Sequence, residues 1–177
     1  VGDGNHSLAA ARASYLANPN PHNRYSLVEL VNIHDPALVF EPIYRVVFGC
    51  EPQTVFEEAA NWFMHHGNTL GEPENVIFLA DGVEKTIPSR GFAVGVLQAF
   101  LNDYTASHPS VRVDYVHGEA ETRSLAKKCG VCAFLFRGMQ KSDLFSCVRR
   151  DGVLPRKAFS MGEAAEKRSY LECRKIR

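Results

Sequence analysis

Apolar positions along this chain recur in two periods, and the switching between them lays out the elements. Leu8, Ala11, Tyr15 and Leu16 fall near one face of a helix, which Asn18-Pro19-Asn20-Pro21 must stop because two prolines remove donors and block further turns. Tyr25 to Ile33 and Leu38 to Phe48 are rich in β-branched and aromatic residues and are joined by His34-Asp35-Pro36-Ala37, most simply a turn, so they read as a strand pair. Pro42 inside the second of these predicts an edge position or a bulge. From Gln53 to His66, Val55, Ala59, Trp62 and Phe63 recur at helical spacing, with His65-His66 capping the end and Gly67 as the stop. A shorter strand, Val76 to Leu79, ends at Asp81-Gly82, and Val94, Leu97, Leu101 and Tyr104 predict a helix over residues 90–106 closed by Ser107-His108-Pro109. Strand Val111 to Val116 alternates. The helix from Glu119 to Lys128 matches the helix dipole, with acids in its first turn and lysines in its last, and Gly130 ends it before the apolar strand Val131 to Phe136. Trp62 and the phenylalanines read as core. Alternating strand and helix without internal repeats predicts an α/β fold, a mixed β-sheet with helices packed on it, built mainly from residues 25–136.

Composition narrows the classes of function. Hydrophobic residues make up 45% of the 177, enough for a real core. Lys and Arg total 20 and so do Asp and Glu, so no global field attracts nucleic acid or an anionic membrane surface. No apolar run is long enough to span a bilayer and no secretory layout opens the chain, which reads as soluble and cytoplasmic. Five cysteines, an odd number without framework spacing, fit a reducing compartment. A start at Val rather than Met reads as the later part of something longer.

The first candidate for chemistry is the turn Val1-Gly2-Asp3-Gly4-Asn5-His6-Ser7, which runs into the helix-forming Leu8-Ala9-Ala10. A glycine-bearing turn opening onto a helix presents backbone N–H groups and the positive dipole end, which suit phosphate; Asn5 or Ser7 would cap, with His6 or Asp3 facing a substrate. The plainer alternative is an N-cap with a turn glycine. Glu29, amid apolar Leu27 and Val31, is a candidate general base or metal ligand, or else an edge-strand residue facing water. Glu41 and Arg45, four apart on one strand, point to the same side as a surface ion pair or as flanks of one pocket. Arg156-Lys157 precede Ser160-Met161-Gly162-Glu163, a capping-box pattern that predicts a helix start near residue 161 and makes a second anion site. His117-Gly118-Glu119 follows a strand and opens a helix, a loop form that can line a cleft. Cys129-Gly130-Val131-Cys132 has redox spacing but falls at a predicted helix C-terminus, where the dipole disfavours a thiolate, and Cys50, Cys147 and Cys173 stand alone, so redox and metal roles are disfavoured.

Several segments in order, Asp3 to Ala11, Leu27 to Asp35, Phe40 to Val47, Tyr115 to Glu119 and Leu154 to Gly162, together resemble a prokaryotic family, domain-of-unknown-function family 1015, over essentially the whole chain. The chain looks like the C-terminal half of such a protein. The resemblance implies that residues 1–24 are the end of a truncated ParB-like N-terminal region, whose helix precedes an α/β C-terminal domain at 25–177. The opening turn is similar to the Asp-Gly-His-His-Arg turn of ParB-like and sulfiredoxin-like proteins, which bind nucleotide phosphates and include small-molecule kinases. Here Asn5 stands for the first His and Ser7 for the Arg, and Tyr44 stands where His is usual before Arg45.

Two classes of function follow. One is a small-molecule phosphotransferase using ATP and releasing ADP with magnesium, in which Gly4, Asn5, His6 and Ser7 bind phosphate, Arg45 and Lys157 neutralise charge, and Asp3 or Glu29 assists the acceptor. The other is a binding or regulatory module without turnover. The expected partner in both is a small phosphorylated molecule, and an oligomer is compatible with either.

Overall fold

The computed structural model describes residues 4–66, 73–90 and 92–162. It divides into two compact units, one of residues 1–38 with 161–177 and one of Val39–Ser160.

Val39–Ser160 holds the sheet. Its elements are β1 (Phe40–Phe48), α2 (Pro52–His66), β2 (Pro73–Ala80), β3 (Val83–Arg90), α3 (Ala93–Ser107), β4 (Arg112–His117), α4 (Glu119–Leu125), β5 (Val131–Leu135), α5 (Leu144–Asp151) and the short β6 (Phe159–Met161); α1 (Asn5–Ala17) precedes them. Strand order is β3-β2-β5-β1-β4, with β6 also pairing β1, and the four ladders along that path are antiparallel. The expected α/β architecture, a sheet with helices packed on it, is therefore present. Every residue of β5 is buried, as a continuous apolar run requires of a strand covered on both faces. Its Phe134 meets Phe78 of β2 edge-on at 5.4 Å and Phe100 of α3 at 6.5 Å, so sheet and helix share one core. Val55, Ala59 and Phe63 of α2, and Val94, Leu97, Leu101 and Tyr104 of α3, are buried at the predicted spacing.

Several expectations change. β1 is a central strand, paired with β4 and β5, and does not form a hairpin with Tyr25 to Ile33. Its ladders begin at Ile43 with β4 and Arg45 with β5, so Pro42 withholds no donor from either and an edge position is unnecessary. β3 was not foreseen; Asp81 (φ 50) and Gly82 (φ 77) make the tight left-handed turn that pairs it with β2, and Pro88 is tolerated because β3 is an edge. Neither was α5, whose Phe145 is 65% exposed, so not every phenylalanine is core. Trp62 is only partly buried, at the margin of the core. At residue 161 there is strand rather than a helix start; Gly67 and residues 163–177, with Glu163 and Cys173, lie outside the described residues.

In the other unit, α1 starts from Gly4, whose left-handed φ of 76° suits glycine, and no side chain caps it. Asn5 and Ser7 lie inside the first turn and are not the cap. From Tyr25 to Asn32 the chain is in no strand, and Asn32 and Asp35 then build two successive turns by accepting from the His34 and Ala37 N–H groups at 3.0 and 2.9 Å. Among the described residues no helix is long and apolar enough to cross a membrane.

Candidate functional site

Pairing of β1 with β4 sets Arg45 directly opposite Tyr115, and pairing with β5 sets it opposite Phe134. Arg45 is wholly buried, 0% exposed, in a strand otherwise made of apolar side chains at that depth. A guanidinium in such a place must have every accessible N–H used or lose several kcal/mol (about 2–7 for a polar group). Arg45 Nε donates to Gln98 Oε1 at 3.1 Å, Nη1 donates to the Ile43 carbonyl, and Nη2 donates to the Arg156 carbonyl at 3.3 Å. Its Cζ lies 4.7 Å from the Tyr115 ring centroid and 5.8 Å from that of Phe136. Burial, opposed by Tyr115 and reinforced by the like charge of Arg156, lowers its pKa to about 10.

Two further cations converge on the same ring. The Arg156 guanidinium carbon is 5.3 Å and Lys157 Nζ 4.9 Å from the Tyr115 centroid. Arg156 Nε donates to the Tyr115 hydroxyl at 2.9 Å, that hydroxyl faces Gln98 Oε1 at 3.4 Å, and Gln98 Nε2 donates to Asn102 Oδ1 at 2.9 Å. A chain of polar groups thus runs from exposed Arg156 through Tyr115 and buried Gln98 to Arg45. Lys157 is held with φ 53°, a left-handed conformation uncommon for a residue with a side chain. Among the described residues none of the three cations is ion-paired; the salt bridges there join Arg123 to Glu84 and Glu119. Glu41 is therefore no partner of Arg45, because the guanidinium is turned into the sheet's interior contacts.

Of the predicted site residues, Arg45 and Lys157 are brought together around Tyr115. Gly4, Asn5, His6 and Ser7 are exposed at the start of α1, Glu29 is exposed outside any strand, and Asp3 lies outside the described residues. The sequence pattern does not single out Tyr115 or Gln98, which the fold places against Arg45. The signal for Tyr115 was its place in the Tyr115 to Glu119 segment, but only strand register sets it over Arg45. His117-Gly118-Glu119 forms the junction of β4 and α4, where Glu119 pairs with Arg123 at 2.7 Å.

Two other places carry chemistry-bearing side chains. A cleft of about 380 Å³ between α2 and α3 is lined by Glu58, Trp62, His65, His66, Asp103 and Tyr104, an acidic setting unsuited to phosphate. His65 and His66 Nδ1 contact the Asn61 and Trp62 carbonyls at 2.8 and 3.1 Å, the C-terminal capping expected of them. Cys132 in β5 has its sulfur 3.7 Å from that of Cys50, so Cys50 does not stand alone; Cys129 is exposed. No group of three or more His, Cys, Asp or Glu among the described residues could hold a metal ion.

The family model described as a protein of unknown function, DUF1015, matches residues 1–129, and the chain belongs to that family. No curated protein and no solved structure matches it.

Proposed function

We propose that this member of the DUF1015 family binds a small phosphorylated ligand at the Arg45, Arg156 and Lys157 cluster. One observation carries the reading: three cations gather on one tyrosine ring, and among the described residues no carboxylate is paired to any of them. Mutual repulsion makes such a cluster costly when empty, and an anion with several oxygens relieves it with charge-assisted hydrogen bonds. Arg156 and Lys157 are exposed and reach the ligand first, while Arg45 sets the positive potential beneath Tyr115.

Phosphotransfer, with ATP or ADP and magnesium as cofactor, is the finer form of this proposal; the first turn of α1 at Gly4 to Ser7 is a separate candidate phosphate contact of its own unit. Among the described residues the cluster contains no carboxylate, which favours a binding or regulatory role over turnover. Calorimetry of the full chain against ATP, ADP, pyrophosphate and inorganic phosphate, with and without magnesium, tests both. Binding that Arg156→Ala with Lys157→Ala weakens by roughly tenfold or more is expected, about 1.4 kcal/mol or above. No binding, or binding indifferent to that double substitution, overturns the site.

A further inference from the structure

The turn that leaves β1 carries Cys50, and its sulfur lies 3.7 Å from that of Cys132, a residue 82 positions later on the neighbouring strand. The pairing arises from register: Val47 faces Cys132 and Phe48 faces Val131, and the Gly49 and Cys50 N–H groups both donate to the Gly130 carbonyl, at 3.0 and 3.2 Å. Gly49, at φ 72°, lets the chain fold back over the end of β5. Cys50 is half-buried and Cys132 buried, both as free thiols.

We propose that Cys50 and Cys132 form an oxidisable pair that closes to a disulfide by exchange with a low-molecular-weight disulfide such as glutathione disulfide. Cys50 is the attacking sulfur, since it alone of the two reaches the surface. Its thiolate displaces one sulfur of the small disulfide, giving a mixed disulfide and one small thiolate, which takes up a proton. Cys132 then loses its proton, its sulfur attacks Cys50 Sγ, and the second small thiol leaves. Two protein thiols are oxidised by two electrons, and the small disulfide is reduced to two thiols. The hydrogen bond with Cys132 draws the Cys50 thiol below its ordinary pKa, and the same contact with burial holds Cys132 protonated until Cys50 has reacted. Closing from 3.7 Å to a bond of about 2.05 Å asks for a shift within the 49–51 turn rather than a rearrangement of the sheet.

Trypsin leaves Cys129 and Cys132 on one peptide, residues 129–137, so the test uses the full chain with Cys129→Ser. Folded protein is incubated with glutathione disulfide, quenched in acid, alkylated, digested and mapped by mass spectrometry. The expected product is a Cys50–Cys132 linked peptide, lost on reduction, while Cys132→Ser in the same background leaves Cys50 as a stable glutathione adduct. Circular dichroism checks that each variant is folded. The proposal is overturned if Cys50 accumulates the adduct with Cys132 still free, or if both remain thiols under conditions that glutathionylate Cys129 of the unaltered chain.

Discussion

Two stretches of this chain have much the same strand-forming composition and opposite fates. Phe40–Phe48 becomes β1, with Val46 and Val47 wholly buried, whereas Tyr25 to Ile33 stays outside any strand with Leu27 101% and Leu30 99% exposed. What separates them is a partner: β1 has a ladder on each side, and no ladder among the described residues takes up the other segment. β-branched and aromatic residues favour strands because they fit a pleated, half-buried surface, so the preference counts for little where no neighbouring strand supplies that surface.

The comparison is most sharply tested by paired substitutions. Phe134→Ala removes a fully buried ring that touches Phe78 and Phe100, and it is expected to cost roughly 3–5 kcal/mol in urea unfolding. Leu27→Ser with Leu30→Ser is expected to change stability by less than about 0.5 kcal/mol per site. A loss of about 2 kcal/mol or more from the leucine pair would mean that this segment is covered in solution and would erase the contrast.

The same contrast explains what could be read from residue order. α2 and α3 follow from apolar spacing and β5 from an unbroken apolar run, because helix periodicity and two-sided burial are local signatures. β3 escaped notice because Glu84, Lys85 and Pro88 break any apolar pattern, as suits an edge, although Asp81-Gly82 is a strong hairpin signal. Arg45 and Lys157 were recognisable as cations, yet their meeting over Tyr115 depends on the register of β1 against β4. The nearness of Cys50 to Cys132 likewise depends on β1 against β5, and register between distant strands leaves no trace in spacing.

A second, smaller effect belongs to the packed unit alone. Tyr104 on α3 is 4% exposed, and burial first, then the nearby Glu58, pushes its hydroxyl pKa up to about 12 from the usual 10. The folded state therefore keeps this proton over a range in which the unfolded chain loses it. The stability involved is fully present below pH 10 and is lost as pH rises toward 12, by about 3 kcal/mol at most. Tyr104→Phe removes that slope, so its stability relative to the unaltered protein should climb between pH 10 and 12. Urea unfolding across that range reads the difference, and parallel curves would show that Tyr104 is better solvated than its burial implies.

A substitution with little expected effect on stability bears most directly on the proposed function. Arg45→Met keeps the apolar stem, removes the charge, and takes a donor from the Ile43 and Arg156 carbonyls and from Gln98 Oε1, each bond worth about 1 kcal/mol. Against that stands the removal of a buried guanidinium that has no carboxylate partner among the described residues and whose desolvation costs several kcal/mol, so the terms nearly cancel and the free protein should stay within about 1 kcal/mol of the unaltered one. Stabilisation by ATP or pyrophosphate, followed as the ligand-induced rise in Tm, should shrink sharply in the same variant, because the positive potential under Tyr115 is gone. If Arg45→Met instead costs about 3 kcal/mol or more and leaves the ligand response intact, the guanidinium is a structural tie between β1, α3 and the 156–157 turn, and phosphate recognition has to be sought at exposed Arg156 and Lys157 alone.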